Sequence, residues 1–361
     1  MAYTTIDTPE SYFNIVTYTG NGSTQSITGV GFQPDMIWIK SRNASGDHVI
    51  TDSSRGTGKQ IMTNGSNTAS WEETEQSATN RVTSFDSDGF SLGANAEGNT
   101  NGDTYVAWCW KINGGTTETI AAGSTSYDPS ESTVQKNLTA NITISEYQGS
   151  TSYGSYSHGL GEIPAFTMIK SKTIASNAAL TLLHNKLGYD NALQMSTGGP
   201  YGTAYFDAAP TSTVVNCKDV NAVFRPNGAK SYIAYHFGNE QGYQRVGLTH
   251  GNNQADDGTF IYLGFKPRWF LYRRYDTTGN GTFCIDSKRK TQNGGSQPFS
   301  RMHNRGAEGS ATGGANDIYV DFLSNGVKMR SNDSELNGDL IYWAIAEKPF
   351  VSSTGVPLTA Q

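Results

Sequence analysis

Two short stretches carry the side chains best suited to shared polar chemistry, Asp52-Ser53-Ser54-Arg55 and Asp286-Ser287-Lys288-Arg289. Each follows a strand-like run, "VIT" or "TFCI", and sets a carboxylate and a guanidinium three residues apart. Such a pair can close on itself and pin its loop, which is the simpler reading. It can also offer a fork of donors and acceptors to the hydroxyls of a sugar. On the second reading Asp52, Arg55, Asp286 and Arg289 are surface-contact residues. A third place in the chain aligns with these two but carries His184, Asn185 and Leu187, so the pair is not needed at every occurrence. Trp71, in the polar insertion "ASWEETEQ", is the tryptophan expected at the surface, where its ring would stack on a sugar or a partner.

Other chemistries find little support. The six histidines, His48, His158, His184, His236, His250 and His303, show no ligand spacing, and none adjoins a cysteine. No Gly-x-Ser-x-Gly elbow occurs, and "GNGST" and "SRGTGK" lack the ending of a phosphate loop. Glu72, Glu73, Glu97, Glu146 and Glu162 suggest no carboxylate pair set across a groove, as glycoside hydrolysis requires. Oxygen-rich turns at "DSDG" (86–89), "ADDG" (255–258) and "NDSELNGD" (332–339) resemble parts of calcium loops but miss the terminal bidentate Glu. Turn formation by Asp and Asn accounts for them. The expectation is no cofactor, with calcium the one metal the sequence leaves room for, and no catalysis.

The elements that must hold these residues follow from composition. Charged residues make up 16% of the chain, aromatics 11%, and 41 of the 361 residues are glycine. Polar surface therefore comes from Ser, Thr, Asn and Gln, while Val, Thr and the aromatics suit a pleated sheet and Gly and Asn suit its turns. The fold class is all-β. Net charge is −6 with the basic residues scattered, which argues against nucleic acid. No apolar run approaches the ~18 residues of a membrane span, and "MAYTTIDTPESYF" does not read as a signal peptide. Cys109, Cys217 and Cys284 are far apart and read as buried free thiols of a protein assembled in a reducing cytosol.

One plan recurs three times. Corners at Pro34, Pro164 and Pro267 lead into the apolar strands "DMIWIK", "AFTMIK" and "RWFLYRR", whose charged ends are expected to emerge into solvent. Asp52, His184 and Asp286 follow at matching distances. Next come "VTSFDSDGFSLG", "VVNCKDVNAVFRP" and "VDFLSNGVKMRS", with two-residue hairpin turns at Asp88-Gly89 and Asn325-Gly326. Each copy closes on a Tyr-x-Ala strand, so that Pro34 to Ala107, Pro164 to Ala234 and Pro267 to Ala344 span 73, 70 and 77 residues. In "TYVAWCWK" Tyr105, Ala107 and Cys109 share one face, and Val106, Trp108 and Trp110 the other. Copies of about 100 residues are large enough to enclose a core each, as β-sandwiches of the jelly-roll kind do. The expected layout is an arm at 1–11, sandwiches at 12–112, 141–240 and 241–350, a Gly/Ser/Thr-rich linker at 113–140, and a tail at 351–361. Arm and tail are placed to reach neighbouring subunits.

The run "YFNIVTYTGNGSTQSITGVGFQPDMIWIKSRN", followed by "DSSRG", "FDSDGFSLG" and "NGDTYVAWCWK", closely resembles a repeated domain of virion structural proteins in marine tailed phages, including those of cyanobacteria. The ending "IYWAIAEKPFVSSTGVPLTA" is also similar to the close of such proteins. The first copy carries the resemblance almost throughout, the third in its corner and last strand, the middle one loosely. It implies a virion part assembled in the host cytoplasm: a tail fibre or spike component for host attachment first, a capsid-surface decoration or head fibre second, a glycan-degrading tail enzyme third. It brings no catalytic residues. The partners expected are other virion proteins, a host surface glycan or receptor, and further copies of the chain, a trimer first. Neither nucleic acid nor membrane insertion is expected.

Overall fold

The computed structural model describes residues 3–64, 75–123, 129–149, 154–173, 180–195, 206–217, 230–277, 280–289, 293, 297–311 and 318–357. The chain is all-β and sandwich-like; among the described residues three large sheets each face a three-stranded one. Trp71 and residues 218–226 of "VVNCKDVNAVFRP" lie outside the described residues.

In the first large sheet the opening strand Phe13–Thr19 pairs with the closing strand Thr104–Trp110, which pairs with the corner strand Met36–Ser41. Val49–Asp52, Lys59–Met62 and Gln76–Ser77 follow in order. The same opening, closing, corner sequence recurs with Ile142–Gln148, Ser231–Phe237 and Phe166–Ser171. It recurs again with Gln244–Gly251, Gly338–Pro349 and Phe265–Arg274. Each corner needs a glycine three residues before its proline: Gly31, Gly161 and Gly264 stand at φ 86°, 81° and 80°, where a side chain is strained. In the third copy the strand runs through Pro267 and absorbs the missing donor in a register shift beside it.

The corner strands are buried at all positions from Met36 to Ser41 and from Phe166 to Ser171 because both their faces are covered. One face meets the small sheet. In the first copy Ile37, Ile39, Tyr105, Ala107 and Cys109 form that core with Ile27, Val82 and Phe90. The other face, with Met36, Trp38, Val106, Trp108 and Trp110, enters a second core shared by all three copies. There Trp110 of the first copy lies 5.9 Å from Trp343 of the third, and Phe237 of the second lies 4.1 Å from the same Trp343. The face assignment of "TYVAWCWK" read from alternation is therefore the observed one. The second face covers neighbouring copies, where an isolated sandwich would meet solvent.

That shared core changes several expectations. Lys40, Lys170 and Arg273, at the charged ends of the corner strands, are buried rather than solvent-facing. The stretch expected as a linker carries Glu118–Ile120 and Ser132–Asn137, which extend the second large sheet beyond its opening strand, and Pro129–Ser130, which joins a small sheet. Its Ser and Thr content suits edge strands with one wet face. The hairpin loops are Ser87-Asp88 and Ser324-Asn325, one residue earlier than expected, since Gly89 pairs with Asp86 and Gly326 with Leu323. Those glycines serve close approach instead: a Cβ on Gly89 would lie 1.9 Å from the Ile27 carbonyl oxygen, and one on Gly326 2.1 Å from that of Ile261.

Arm and tail turn inward. Thr5 donates its hydroxyl to Glu240 at 2.6 Å, Ile6 enters the shared core, and the Ser353 amide donates to Asp7 at 2.6 Å. Among the described residues no helix is long and apolar enough to cross a membrane.

Candidate functional site

Asp52 ends the strand Val49–Asp52, Arg55 follows it, and the two close on each other with both side chains fully buried. Arg55 donates through Nε to Asp52 Oδ2 at 2.6 Å and through its backbone amide to Oδ1 at 3.0 Å. Two further partners complete the site. Tyr235, from the closing strand of the second copy, donates its hydroxyl to Asp52 Oδ2 at 2.8 Å, and Glu75 meets Arg55 at 3.2 Å. Burial alone would push the Arg55 guanidinium down, but the charge of Asp52, with Tyr235 and Glu75, outweighs it and holds Arg55 above its ordinary value.

The third copy repeats this design. Arg289 donates to Asp286 at 2.7 Å and to Glu308 at 2.9 Å, again with both members of the close pair fully buried. The outside donor is now Trp108 of the first copy, whose indole N–H reaches Asp286 Oδ2 at 3.0 Å while the Arg289 guanidinium sits 5.3 Å from its ring. Tyr235 and Trp108 each stand immediately after the alanine of a Tyr-x-Ala strand. The corresponding residue of the third copy is Ile345, which has nothing to donate. The site it should serve, in the second copy, holds His184 in place of the Asp-Arg pair. His184 accepts the Lys186 amide through Nδ1 at 3.2 Å and donates through Nε2 to the Gly247 carbonyl of the third copy at 3.1 Å. Loss of the donor in one copy thus coincides with loss of the acceptor in the copy it faces.

Each of these places meets one neighbour in cyclic order: that of the first copy meets the second, that of the third meets the first, and that of the second meets the third. A head-to-tail contact that returns to its start after three steps is a closed ring. Other seams repeat it. The Glu308 amide donates to the Arg42 carbonyl at 2.6 Å between third and first copies, and the Glu75 amide to the Lys172 carbonyl at 3.0 Å between first and second. Arg42 also grips Glu308 through two bonds of 2.9 and 3.0 Å. Arg273 of the third copy donates to the Gln194 carbonyl of the second.

The expectation of surface contact is therefore corrected for Asp52, Arg55, Asp286 and Arg289: they are ion pairs within the seams and meet no solvent. The loop-pinning reading is the observed one, extended to a neighbouring copy. Sequence reasoning missed Glu75 and Glu308, although their near-equal distances from Arg55 and Arg289 were a usable signal.

The remaining candidates are likewise engaged. Asp88 accepts the amides of Gly29 and Gly31 at 3.1 and 2.6 Å, Asp257 pairs with Lys328 at 2.8 Å, and Asp333 accepts the Glu335 amide at 2.8 Å. Among the described residues no group of three or more His, Cys, Asp or Glu side chains converges as a metal site. Cys109, Cys217 and Cys284 are buried free thiols, and burial pushes all three above the ordinary thiol value.

An open cleft lies at the junction of the second and third copies. A cleft of about 760 Å³ runs along the edge strand Gln244–Gly251, between the loop carrying Glu240 and the strand Phe260–Tyr262. The exposed large side chains Leu248, Phe260 and Tyr262 belong to the same edge.

No curated protein and no solved structure matches the chain. One family model, described as a domain of unknown function, matches residues 8–349, a span that takes in all three large sheets and the seams between them. By that match the chain belongs to the DUF7483 family.

Proposed function

We propose that the protein is a non-enzymatic structural component of a bacteriophage virion, a tail fibre or spike part that attaches the particle to its host. The observation that carries this reading is the use of the paired ionisable side chains. The Asp-Arg pairs that could have formed a working site are spent on holding three copies together, and what faces outward is a low-charge, hydroxyl- and amide-rich surface. Such an arrangement gives a stiff body with binding faces rather than a reaction centre. The resemblance of "YFNIVTYTGNGSTQSITGVGFQPDMIWIKSRN" to virion proteins of marine tailed phages supplies the setting.

Within this reading the ring does inside one chain the packing that three subunits would otherwise do between chains. A homo-oligomer, a trimer first, would be built from its outer faces. A capsid-surface decoration is the second reading, because the same rigid body could sit on a capsid lattice. Electron microscopy of intact particles carrying a gold-labelled antibody to the protein decides between them. Label on the tail is the expected result; label on the head would favour decoration, and particles without label would end the virion reading. Incubation with host polysaccharide and a reducing-end assay tests the non-enzymatic part, which sustained release of fragments would contradict.

A further inference from the structure

We propose that the cleft beside Gln244–Gly251 is a binding site for an acidic oligosaccharide. It rests on the attachment reading only in that a surface glycan is a partner such a protein would meet. The physical argument is internal to the fold. In the first copy Tyr18 stands opposite Tyr105 across the opening and closing strands, and the rings stack at 5.2 Å. In the second copy Tyr147 stands opposite Tyr232 and stacks at 5.2 Å. In the third copy the place opposite Tyr342 is Gly247. The Tyr342 ring closes over it, so that a Cβ on Gly247 would lie 2.4 Å from the Tyr342 hydroxyl oxygen. A tyrosine has thus been removed where the other two copies keep one, and the cleft runs past that place.

The lining suits sugar chemistry. Tyr342 is only 5% exposed and lines the cleft, and its hydroxyl makes no hydrogen bond to protein among the described residues. A phenol so placed lacks a partner that a ligand hydroxyl would supply. Tyr262, at 49% exposure, and Tyr3 line the mouth with their hydroxyls 3.4 Å apart, and a tyrosine ring is a group on which the apolar face of a pyranose can stack while its hydroxyls reach polar groups. Lys186 and Arg245 also line the cleft, and neither is in an ion pair among the described residues. The carboxylate on the same wall, Glu240, already accepts the Thr5 hydroxyl. Two cations against that one carboxylate leave the lining with a net positive charge, which selects a sugar carrying a carboxylate or a comparable anion.

An extended peptide fits less well. Strand addition needs free edge amides, yet Gln244 donates its amide to the Glu240 carbonyl at 2.9 Å and Val246 donates to Asn239 Oδ1 at 2.7 Å.

The test is a printed array of bacterial lipopolysaccharide and capsular oligosaccharides, acidic and neutral, probed with the labelled full chain. Retention on acidic members is expected, weakening with salt. Tyr262→Ala should lower the apparent affinity about tenfold, and Arg245→Ala with Lys186→Ala should remove the preference for acidic members. Gly247→Tyr, which restores the residue found in the other copies, should abolish retention, with an unchanged melting temperature for Tyr262→Ala showing that the fold is intact. Absence of retention on every member, or retention indifferent to all three changes, would overturn the assignment. Labelled protein that still coats host cells under either outcome would leave the attachment reading standing, so the two failures are distinguishable.

Discussion

Asp52 and Asp286 each face two demands, charge balance from an arginine three residues on and a hydrogen bond from a neighbouring copy. A buried pair contributes little net stability against an apolar pair of the same shape, but losing one member strands the other charge without solvent. Asp52→Ala should therefore cost about 3–5 kcal/mol, while Asp52→Leu combined with Arg55→Met should cost far less. Urea unfolding of the two variants checks this, and equal losses would contradict it.

The buried histidines set a pH limit at the same scale. Burial lowers His158 and His184 to about 4 and holds His48 and His236 well below the ordinary value. In the unfolded chain the same rings titrate near the ordinary value of about 6.5. The unfolded state therefore binds more protons below that pH, so stability is full above it and is lost as pH falls toward about 4. The loss amounts to about 3 kcal/mol for each of His158 and His184. His184→Gln, keeping an amide donor for the Gly247 carbonyl, should flatten part of that slope in melts taken between pH 7 and 4.

At the scale of elements, much was legible in the sequence. The two-sided burial of "DMIWIK", the face assignment in "TYVAWCWK" and the loop-pinning of the Asp-Arg pairs all follow from local pattern. Where the second face of each large sheet goes does not. An unbroken apolar strand reads the same whether a small sheet or a neighbouring copy covers it, which is why Lys40 and Arg273 looked solvent-facing. Strand content within 113–140 is hard to read for a related reason, since an edge strand such as Glu118–Ile120 is largely wet and carries the composition of a loop. Hydrogen bonds between copies, such as that from Trp108 to Asp286, depend on ring order, and no single stretch encodes that order. The element most exposed to this packing is the strand bearing Trp343, whose ring lies 4.6 Å from Trp269 and 5.4 Å from Phe166 of the second copy. Trp343→Ala should destabilise the protein by about 3–5 kcal/mol, a loss readable as a shifted urea midpoint at unchanged slope.

For the whole molecule, the consequence of a shared core is cooperativity. Each large sheet buries one face inside its own sandwich and the other against two further copies, so no copy can unfold without exposing tryptophans of the rest. Beads on a string would share no such face. Differential scanning calorimetry of the full chain tests this most directly. The ring predicts one endotherm whose calorimetric and van't Hoff enthalpies agree; separate transitions, or a calorimetric enthalpy about three times the van't Hoff value, would contradict it.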